Sequence, residues 1–255
     1  MFARELKSRL KRGELTLGPL MSFDYWPGYI EIMKAEGMDY AVCDLEHGAY
    51  SFPVIEEVCR TARLCDFPVL IRPESCTYPL IRKCMDLGPA GLMIPWVETV
   101  EQIETLRRAA FLPPLGQRGP GGPSILANRS LDRAGWDEVE KTLFMLIQIE
   151  SPKGVENLPA LAGHDWIDAV MLGPYDLSVN LGHCGQIEHP DVVAAIERVR
   201  DGAEKLGKPC GMVVGGAEQA RFWMDRGFTF LITGEISFMV RQHMRQLVKT
   251  VRGES

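Results

Sequence analysis

Short apolar runs alternate with segments of helical spacing along the whole chain, and this alternation restricts the fold more than any other feature. Each run is rich in β-forming residues and ends abruptly in polar or glycine-rich sequence, as buried parallel strands do. The predicted strands are Leu17–Met21, Tyr40–Asp44, Val69–Ile71, Gly91–Ile94, Leu143–Ile149, Ala169–Leu172, Cys210–Val214 and Phe230–Ile232. About eight such units is the number in a closed parallel barrel, so we predict an α/β fold, the TIM (β/α)8 barrel.

Helices are predicted between the strands, where apolar residues recur every three or four positions. They lie near Tyr29–Ala35, Val54–Leu64, Pro79–Met85, Val100–Ala110, Val155–Leu161, Val192–Leu206, Glu218–Asp225 and Ser237–Val251. Gly37, Gly88, Gly207 and Gly227 each follow a helical stretch just before a strand, where a C-terminal glycine cap belongs. The amphipathic segment Phe2–Lys11 precedes the first strand, and we expect it to form a capping helix.

One domain spanning residues 1–255 is expected, because this length suits a single α/β barrel and no Pro- or Ser-rich linker divides the chain. The longest non-periodic piece is Leu112–Asp137, and a loop of this length is usually functional or an interaction segment. It contains the glycine-rich stretch Gly116–Pro123. A phosphate-binding loop is disfavoured there, because these glycines follow a helix and precede a strand, the reverse of the order such a loop needs.

Charge and cysteine content narrow the class of partner. The net charge is −6 with no basic cluster, which argues against nucleic acid or an anionic membrane as partner. Seven scattered cysteines without a Cys-x-x-Cys pair indicate neither a disulfide framework nor a thiolate zinc site. No signal-peptide core is present, and no apolar run approaches the roughly 20 residues of a membrane helix. We therefore predict a cytoplasmic protein with a small-molecule partner.

Two carboxylates are predicted to lie side by side where neighbouring strands end. Glu150 directly follows the fifth predicted strand, and Asp176 follows the sixth after Gly173-Pro174-Tyr175. Adjacent strands are about 4.8 Å apart, so the two side chains emerge at the same edge. Oxygen ligands placed in this way suit a hard divalent cation such as Mg²⁺ or Mn²⁺. The alternative is that each acid only caps the helix that follows its strand.

Further polar residues follow other strands and should meet at the same mouth of the barrel. His47 comes after the second strand and is a natural proton carrier near neutrality, and Asp44 could orient its ring. Arg72 follows the third strand and offers a rigid fork for a carboxylate or an enolate oxygen. The alternative for His47 is that it only hydrogen-bonds its own loop. The alternative for Arg72 is a surface salt bridge.

Other chemistries are less well supported. No lysine directly follows a strand, which disfavours a Schiff-base mechanism and favours metal stabilisation of an enolate. His183 and His189 flank Cys184 and resemble metal ligands, but no further ligand is evident in the sequence, so we treat them as loop residues.

Several of these stretches together resemble the HpcH/HpaI aldolases, metal-dependent pyruvate aldolases of the phosphoenolpyruvate/pyruvate-barrel group that include 4-hydroxy-2-oxoheptanedioate aldolase. The resemblance covers nearly the whole chain. The matching stretches are Gly37–Gly48 (Gly-Met-Asp-Tyr-Ala-Val-Cys-Asp-Leu-Glu-His-Gly), Leu70–Pro73, Leu92–Pro95, Gln148–Glu150 and Gly173–Ser178.

The resemblance implies an activity and a role for each site residue. The activity is cleavage of a 4-hydroxy-2-oxo acid to pyruvate and an aldehyde. Glu150 and Asp176 would hold Mg²⁺ or Mn²⁺, with Co²⁺ or Zn²⁺ as alternatives, and His47 would be the acid/base with Asp44 as its partner. The implied substrate-binding groups are Arg72, Gln148 and the backbone around Gly173 and Pro174. A homohexamer built as a trimer of dimers that exchange the final helix is also implied.

Two stretches depart from the pattern that the family leads us to expect. Ser22–Pro27 is bulkier and more aromatic than the small-residue segment expected there, and the loop Gly119–Ser124 is also distinctive. Both are predicted to border the aldehyde side of the pocket. The competing functions are an oxaloacetate-type decarboxylase, a CoA-thioester lyase on the same barrel, and a non-catalytic oxo-acid sensor. A sensor should have lost some of the catalytic and metal-binding residues that the resemblance implies, and all of them are present in this sequence.

Overall fold

The computed structural model describes residues 3–119 and 130–253. Eight parallel strands pair in sequence order, β1 with β2 and onward to β8, which closes on β1. The strands are β1 Thr16–Met21, β2 Ala41–Asp44, β3 Val69–Arg72, β4 Gly91–Ile94, β5 Phe144–Ile149, β6 Ala169–Leu172, β7 Cys210–Val213 and β8 Phe230–Glu235. The predicted TIM barrel is therefore confirmed.

Helices follow the strands and surround the barrel. They are α1 Arg4–Lys11, α2 Tyr29–Ala35, α3 Phe52–Leu64, α4 Tyr78–Asp86, α5 Val100–Ala110, α6 Arg133–Thr142, α7 Pro152–Ala162, α8 Pro174–Asn180, α9 Pro190–Lys205, α10 Ala217–Met224 and α11 Ile236–Arg252. The four predicted glycine caps all adopt left-handed backbone conformations, with φ from +67° to +87°. No helix in the described ranges is both long and apolar enough to span a bilayer.

Two helices depart from the sequence prediction. Helix α6 begins at Arg133, inside the piece expected to be non-periodic, and Asp132 caps it by accepting a hydrogen bond from the Gly135 amide at 2.8 Å. Helix α8 starts directly after β6, where we predicted no helix; Pro174 occupies its first turn, a position that needs no amide donor. Residues 120–124 of the distinctive glycine-rich loop, and Phe2 of the first predicted helix, lie outside the described residues.

The barrel interior is apolar and is continuous with the N-terminal helix. Leu6 and Leu10 of α1 are buried in the same cluster as side chains that fill the barrel. Those barrel side chains include Tyr40, Val42, Leu70, Met93, Phe144, Leu146, Met171, Phe230 and Ile232. Each buried leucine contributes about 1.5–3 kcal/mol of transfer free energy. Helix α1 therefore packs on the strand starts and leaves the opposite mouth, where the strands end, free to hold polar groups.

Candidate active site

The strand register brings the predicted site residues to one edge of the barrel. Asp44 and Arg72 are register partners at the ends of β2 and β3. Ile149 of β5 pairs with Leu172 of β6, so the next residues along, Glu150 and Gly173, are also neighbours. The polar residues that follow the strands thus meet at the carboxyl-terminal mouth, where active sites of this fold are found.

A buried ion pair between Asp44 and Arg72 lies at the centre of this mouth. Arg72 Nε donates to Asp44 Oδ1 at 2.8 Å, and Nη2 lies 2.8 Å from Oδ2. Both side chains are almost fully buried, at 1% and 5% exposed. Ser22, which follows β1, donates its hydroxyl hydrogen to Asp44 Oδ2 at 2.7 Å. The two parallel contacts between Arg72 and Asp44 fix the plane of the guanidinium.

The protonation states of this pair follow from its contacts. Burial alone would raise the pKa of Asp44, but the hydrogen bonds and charge of Arg72 outweigh it and hold the pKa below its usual value. Burial opposes the charge on Arg72 as well, yet the hydrogen bond and charge of Asp44 raise the pKa of Arg72. Both groups are therefore charged at neutral pH, and each stabilises the charged form of the other.

The remaining guanidinium nitrogen links the pair to Glu150. Arg72 Nη1 donates to Gln148 Oε1 at 3.3 Å, and Gln148 Nε2 donates to Glu150 Oε2 at 2.7 Å. The second Glu150 oxygen, Oε1, accepts a hydrogen bond from the backbone amide of Trp96 at 3.0 Å. Trp96 has φ of +51°, a left-handed conformation that is rare for a residue other than glycine. The loop after β4 is thus bent so that its amide points at the carboxylate.

Glu150 has the electrostatic environment of a cation ligand. Only 2% of its surface is exposed, and burial raises its pKa to about 8; the negative charges of Glu46 and Asp176 add to this effect. Glu150 therefore holds a proton at neutral pH in the metal-free chain, and a bound cation would take the place of that proton. Asp176 lies in the first turn of α8, directly after the strand that pairs with β5, and carboxylate oxygens are the donors that a hard divalent cation prefers.

His47 lies at the exposed edge of the network and pairs with Glu46. Its Nε2 is 3.8 Å from Glu46 Oε2, and 59% of its side chain is exposed. The same Glu46 oxygen is 3.3 Å from Arg72 Nη1. The described contacts include none between Asp44 and His47: Arg72 and Ser22 bind the Asp44 oxygens, and the carboxylate beside His47 is that of Glu46.

Glu46 directly precedes His47 in the sequence, and no role was predicted for it. Its Oε2 atom is buried without a hydrogen-bond partner in the described part of the chain. Burial raises the pKa of Glu46, and the charge of Arg72 partly offsets this rise. A buried acceptor oxygen between a guanidinium and an imidazole is positioned to orient either group.

The aromatic stretch after β1 is divided between structural and exposed residues. Tyr25 is buried, and its hydroxyl lies 2.6 Å from the Asp44 carbonyl oxygen and 2.8 Å from that of Ser22. Phe23 and Trp26 are more than half exposed. Asp24 accepts from Tyr29 and from the Trp26 amide, so it closes its own turn rather than joining the buried network. Within this stretch, Tyr25 therefore anchors the loop that follows β1.

Gly173 is required by the close approach of two site side chains. A Cβ atom at this position would lie 2.3 Å from Glu150 Oε2 and 2.8 Å from Gln148 Nε2. Real Cβ atoms do not approach polar atoms so closely, so any side chain must displace the Gln148–Glu150 hydrogen bond.

Since the family resemblance implies that Glu150 is a metal ligand, we expect Gly173→Ala to lower turnover and metal affinity by roughly 10–100-fold, the loss typical when groups that orient a metal ligand are moved. The matched control is Gly215→Ala, after β7 at the same end of the barrel. A Cβ there meets only Gln219 Oε1, at an ordinary 3.5 Å. Metal titration and steady-state kinetics on both variants test this, and equal behaviour of the two would contradict it.

Known proteins of several kinds are similar to this chain. The family model described as HpcH/HpaI aldolase/citrate lyase matches residues 26–241. A hydroxypyruvate/pyruvate aldolase from Delftia acidovorans is 34% identical, over 94% of this chain and 89% of that protein. A 5-keto-4-deoxy-D-glucarate aldolase from Escherichia coli is 30% identical, over 99% of this chain and 98% of its own length.

A solved structure agrees with the sequence comparisons. The crystal structure of an HpcH/HpaI aldolase from Desulfitobacterium hafniense superposes with a TM-score of 0.90 at 32% identity. The match covers 99% of this chain and 97% of that one. Both the barrel and its outer helices are therefore shared with that protein.

Proposed function

Because the chain belongs to the HpcH/HpaI aldolase/citrate lyase family, we propose that it cleaves a 4-hydroxy-2-oxo acid to pyruvate and an aldehyde, or runs the reverse addition. It is an aldolase, a carbon–carbon lyase of a metal-dependent family. The observation that carries the substrate proposal is the continuous buried network from Asp44 through Arg72 and Gln148 to Glu150. These hydrogen bonds link the Arg72 guanidinium through Gln148 to the Glu150 carboxyl group, and this link supports the proposal.

Glu150 and Asp176 are the residues that would hold the metal ion. Mg²⁺ or Mn²⁺ fits this carboxylate pair best, and Co²⁺ or Zn²⁺ is the alternative. When bound, a divalent cation supplies Lewis-acid stabilisation of the negative charge that develops on the 2-oxo acid. Gln148 keeps Glu150 oriented through its 2.7 Å hydrogen bond.

Arg72 provides the fixed positive charge. Its Nη1 edge faces Gln148 and Glu46 at the mouth, while Asp44 holds the opposite edge. As the C3–C4 bond breaks, negative charge accumulates on the C2 oxygen, and a preorganised guanidinium beside it lowers the barrier without reorganising. Asp44 therefore acts on the reaction through the orientation of Arg72.

His47 is the proton carrier. In the cleavage direction, directly or through water, it would take the proton of the C4 hydroxyl as the aldehyde carbonyl forms. Glu46 replaces Asp44 as the partner that orients its ring, at 3.8 Å in this structure. The exposed position of His47 leaves it accessible to a substrate entering the mouth.

The carboxylate of the substrate would lie against the turn at Gly173. Pro174 has no N–H, and the Gly173 amide donates to the Ile149 carbonyl at 3.2 Å. The donors for a carboxylate are therefore the first-turn amides of Tyr175 and Asp176, which have no acceptor within the helix. Gly173 contributes the space, and Pro174 sets the start of the helix.

Replacing His47 with alanine is expected to lower kcat by roughly 10²–10⁴-fold, the usual contribution of a general base. Metal binding should persist, because His47 contacts neither Glu150 nor Asp176 in the described contacts. Glu46→Gln keeps the shape but removes the charge beside Nε2, and we expect a smaller fall, of about tenfold. His164→Ala is the control, a half-buried histidine in another loop. Unchanged turnover in the His47 variant would remove this residue from the mechanism.

The activity itself is tested by pyruvate release from a panel of 4-hydroxy-2-oxo acids, with and without a chelator and with Mn²⁺ added back. Both pyruvate and hydroxypyruvate are tried as donors in the reverse direction, because a similar protein is named for both. We expect release that the chelator abolishes and Mn²⁺ restores. Pyruvate from oxaloacetate alone, with no release from the panel, would instead identify a decarboxylase.

We also propose that the final helix packs on a second copy of the chain. Within α11 only Ile236 is buried. Its outward stripe is apolar, formed by Val240, Met244, Leu247, Val248 and Val251, all more than 40% exposed. A groove of about 760 Å³ beside β8 and α10 is lined in part by Leu15, Leu17, Met38, Ala220, Met224 and Leu231. Exchange of α11 between copies would cover such surfaces, and a trimer of these dimers gives the proposed homohexamer.

A charged residue in this stripe is expected to disrupt assembly. Leu247→Glu should convert six-chain particles, each chain 28.5 kDa, to smaller species. Gln246→Glu adds the same charge on the opposite face of the helix and should leave the mass unchanged. Light scattering after size-exclusion chromatography measures both. A wild-type chain that elutes only as a monomer would contradict the proposal.

The cellular location we propose is the cytoplasm. All seven cysteines are free thiols, and Cys43, Cys59 and Cys84 are completely buried. Unpaired thiols suit a reducing compartment.

A further inference from the structure

Three side chains of types that can bind a metal meet where the segment after α8 joins the first turn of α9, outside the hydrogen-bonded network at the barrel mouth. His183 Nε2 lies 3.1 Å from Asp191 Oδ2, and His189 Nδ1 lies 3.7 Å from the same oxygen. The two imidazole rings are stacked, with centroids 3.5 Å apart and an angle of 16° between their planes. Candidate donor atoms of all three residues lie within 4.8 Å of one another. The sequence revealed the two histidines but not Asp191 as a third ligand.

Backbone hydrogen bonds hold this segment in place. The His183 amide donates to the Ser178 carbonyl at 2.8 Å, and the His189 amide donates to the Gln186 carbonyl at 3.0 Å. The Ser178 hydroxyl oxygen accepts from the Gly185 amide at 3.0 Å, and Ser178 is completely buried. The positions from which the two histidines project are therefore fixed before any ion binds, which lowers the entropic cost of binding.

The exposure of these side chains indicates how an ion would enter. His189 Nδ1 accepts a hydrogen bond from the Asp191 amide at 3.3 Å and so caps α9, and an ion bound at this nitrogen would take the place of that hydrogen bond. His183 and His189 are mostly buried, at 24% and 31% exposed, whereas Asp191 is 69% exposed. An ion would therefore enter from the Asp191 side. Two imidazoles with one carboxylate are a donor set for borderline transition metals rather than for Mg²⁺.

We propose that His183, His189 and Asp191 form a second metal site, separate from Glu150 and Asp176, that takes a divalent transition ion such as Zn²⁺. Parallel rings cannot both direct an in-plane lone pair at one ion, so binding must open the stack by rotation of an imidazole side chain. The loop backbone can remain as it is. The ion would join the loop that follows α8 to the start of α9, and so stabilise the segment next to the helix that carries Asp176.

Zn²⁺ titration of full-length variants by calorimetry tests this site. The background is the double variant Glu150→Gln/Asp176→Asn, which removes the carboxylate pair and leaves the second site. We expect this chain to bind one Zn²⁺. Addition of His183→Ala, or separately Asp191→Asn, should weaken Kd by at least roughly 10–100-fold, since even outer-shell changes cost that much. His164→Ala in the same background should bind as the background does.

A second set of measurements shows whether lost binding reflects misfolding of a variant. Co²⁺ added to the background chain should give a visible absorption spectrum typical of histidine ligation, and this should be lost in the Asp191→Asn chain. The Tm of the background should rise with Zn²⁺, while that of the His183→Ala chain should not. A background chain that binds no Zn²⁺, or an unchanged Kd after His183→Ala, would overturn the proposal. Neither result bears on the aldolase activity, which is measured on the chain with Glu150 and Asp176 intact.

Discussion

Replacing Glu150 with glutamine is expected to reduce pyruvate release by roughly a thousandfold, because it removes one of the two carboxylates proposed to hold the metal ion. The side chain keeps its shape, so its amide oxygen can still accept from Trp96. The new amide nitrogen faces Gln148 Nε2, and this mismatch should cost about 1–3 kcal/mol of stability. Loss of activity in a folded chain would thus reflect loss of the metal ligand.

The control for this prediction is Glu156→Gln, an exposed carboxylate on the helix that follows Glu150. We expect it to match the wild type in Mn²⁺ affinity, measured by electron paramagnetic resonance, and in kcat. Normal Mn²⁺ affinity in the Glu150 variant would show that the ion binds elsewhere. Reduced affinity with normal turnover would show that the ion is not needed for chemistry.

The buried position of Glu150 also predicts how metal affinity depends on pH. Burial raises its pKa from 4.5 to about 8 in the metal-free chain, so the carboxyl group is protonated at neutral pH and a cation must displace that proton. Mn²⁺ affinity should therefore increase from about pH 6 to about pH 8 and level off above it. Over the same window the metal-free chain should lose stability as the pH rises, because the native state binds this proton more tightly than the unfolded chain. A flat affinity profile in the wild type would contradict this interpretation.

Strand periodicity was sufficient to predict which residues reach the mouth, but not which of them pair. Glu150, Arg72 and His47 each follow a strand, and parallel strands in a barrel all end at one edge. The partner of Arg72 depends on the register of β2 against β3, which sets Asp44 directly opposite it. In the structure Arg72 and Ser22 bind the Asp44 oxygens, and the carboxylate beside His47 is that of Glu46. Nothing in the spacing of Asp44, Glu46 and His47 distinguishes these two pairings.

The backbone details of the site were also hidden from the sequence. Trp96 adopts positive φ without the glycine or asparagine that usually signals it, so the amide that binds Glu150 could not be foreseen. Asp132 does cap α6, but Gly135 lies in the first turn of that helix and weakens the helical signal. The first case is decided by a contact between residues far apart in the sequence, Trp96 and Glu150.

Replacing Arg72 with alanine is expected to destabilise the chain by about 3–5 kcal/mol and to abolish measurable turnover. Its side chain is 5% exposed and pairs with Asp44 and Glu46, so its removal leaves two largely buried carboxyl groups without their counter-charge. The control is Arg60→Ala, an exposed arginine 3.6 Å from Glu56 on one turn of α3. Pairs of that kind contribute about 0.3–0.5 kcal/mol. Urea denaturation compares the two variants.

A second substitution separates the structural role of Arg72 from its proposed chemical role. In Asp44→Asn/Arg72→Ala, one of the two carboxylate charges that Arg72 balanced is gone, so part of the lost stability should return. Turnover should not return, because the guanidinium beside the C2 oxygen is still missing. Arg72→Lys should give an intermediate stability with low kcat, since a lysine restores the charge but not the two parallel bonds to Asp44. Recovery of both stability and turnover in the double variant would instead mean that Arg72 only neutralises Asp44. Stabilisation of the enolate would then have to come from the metal site alone.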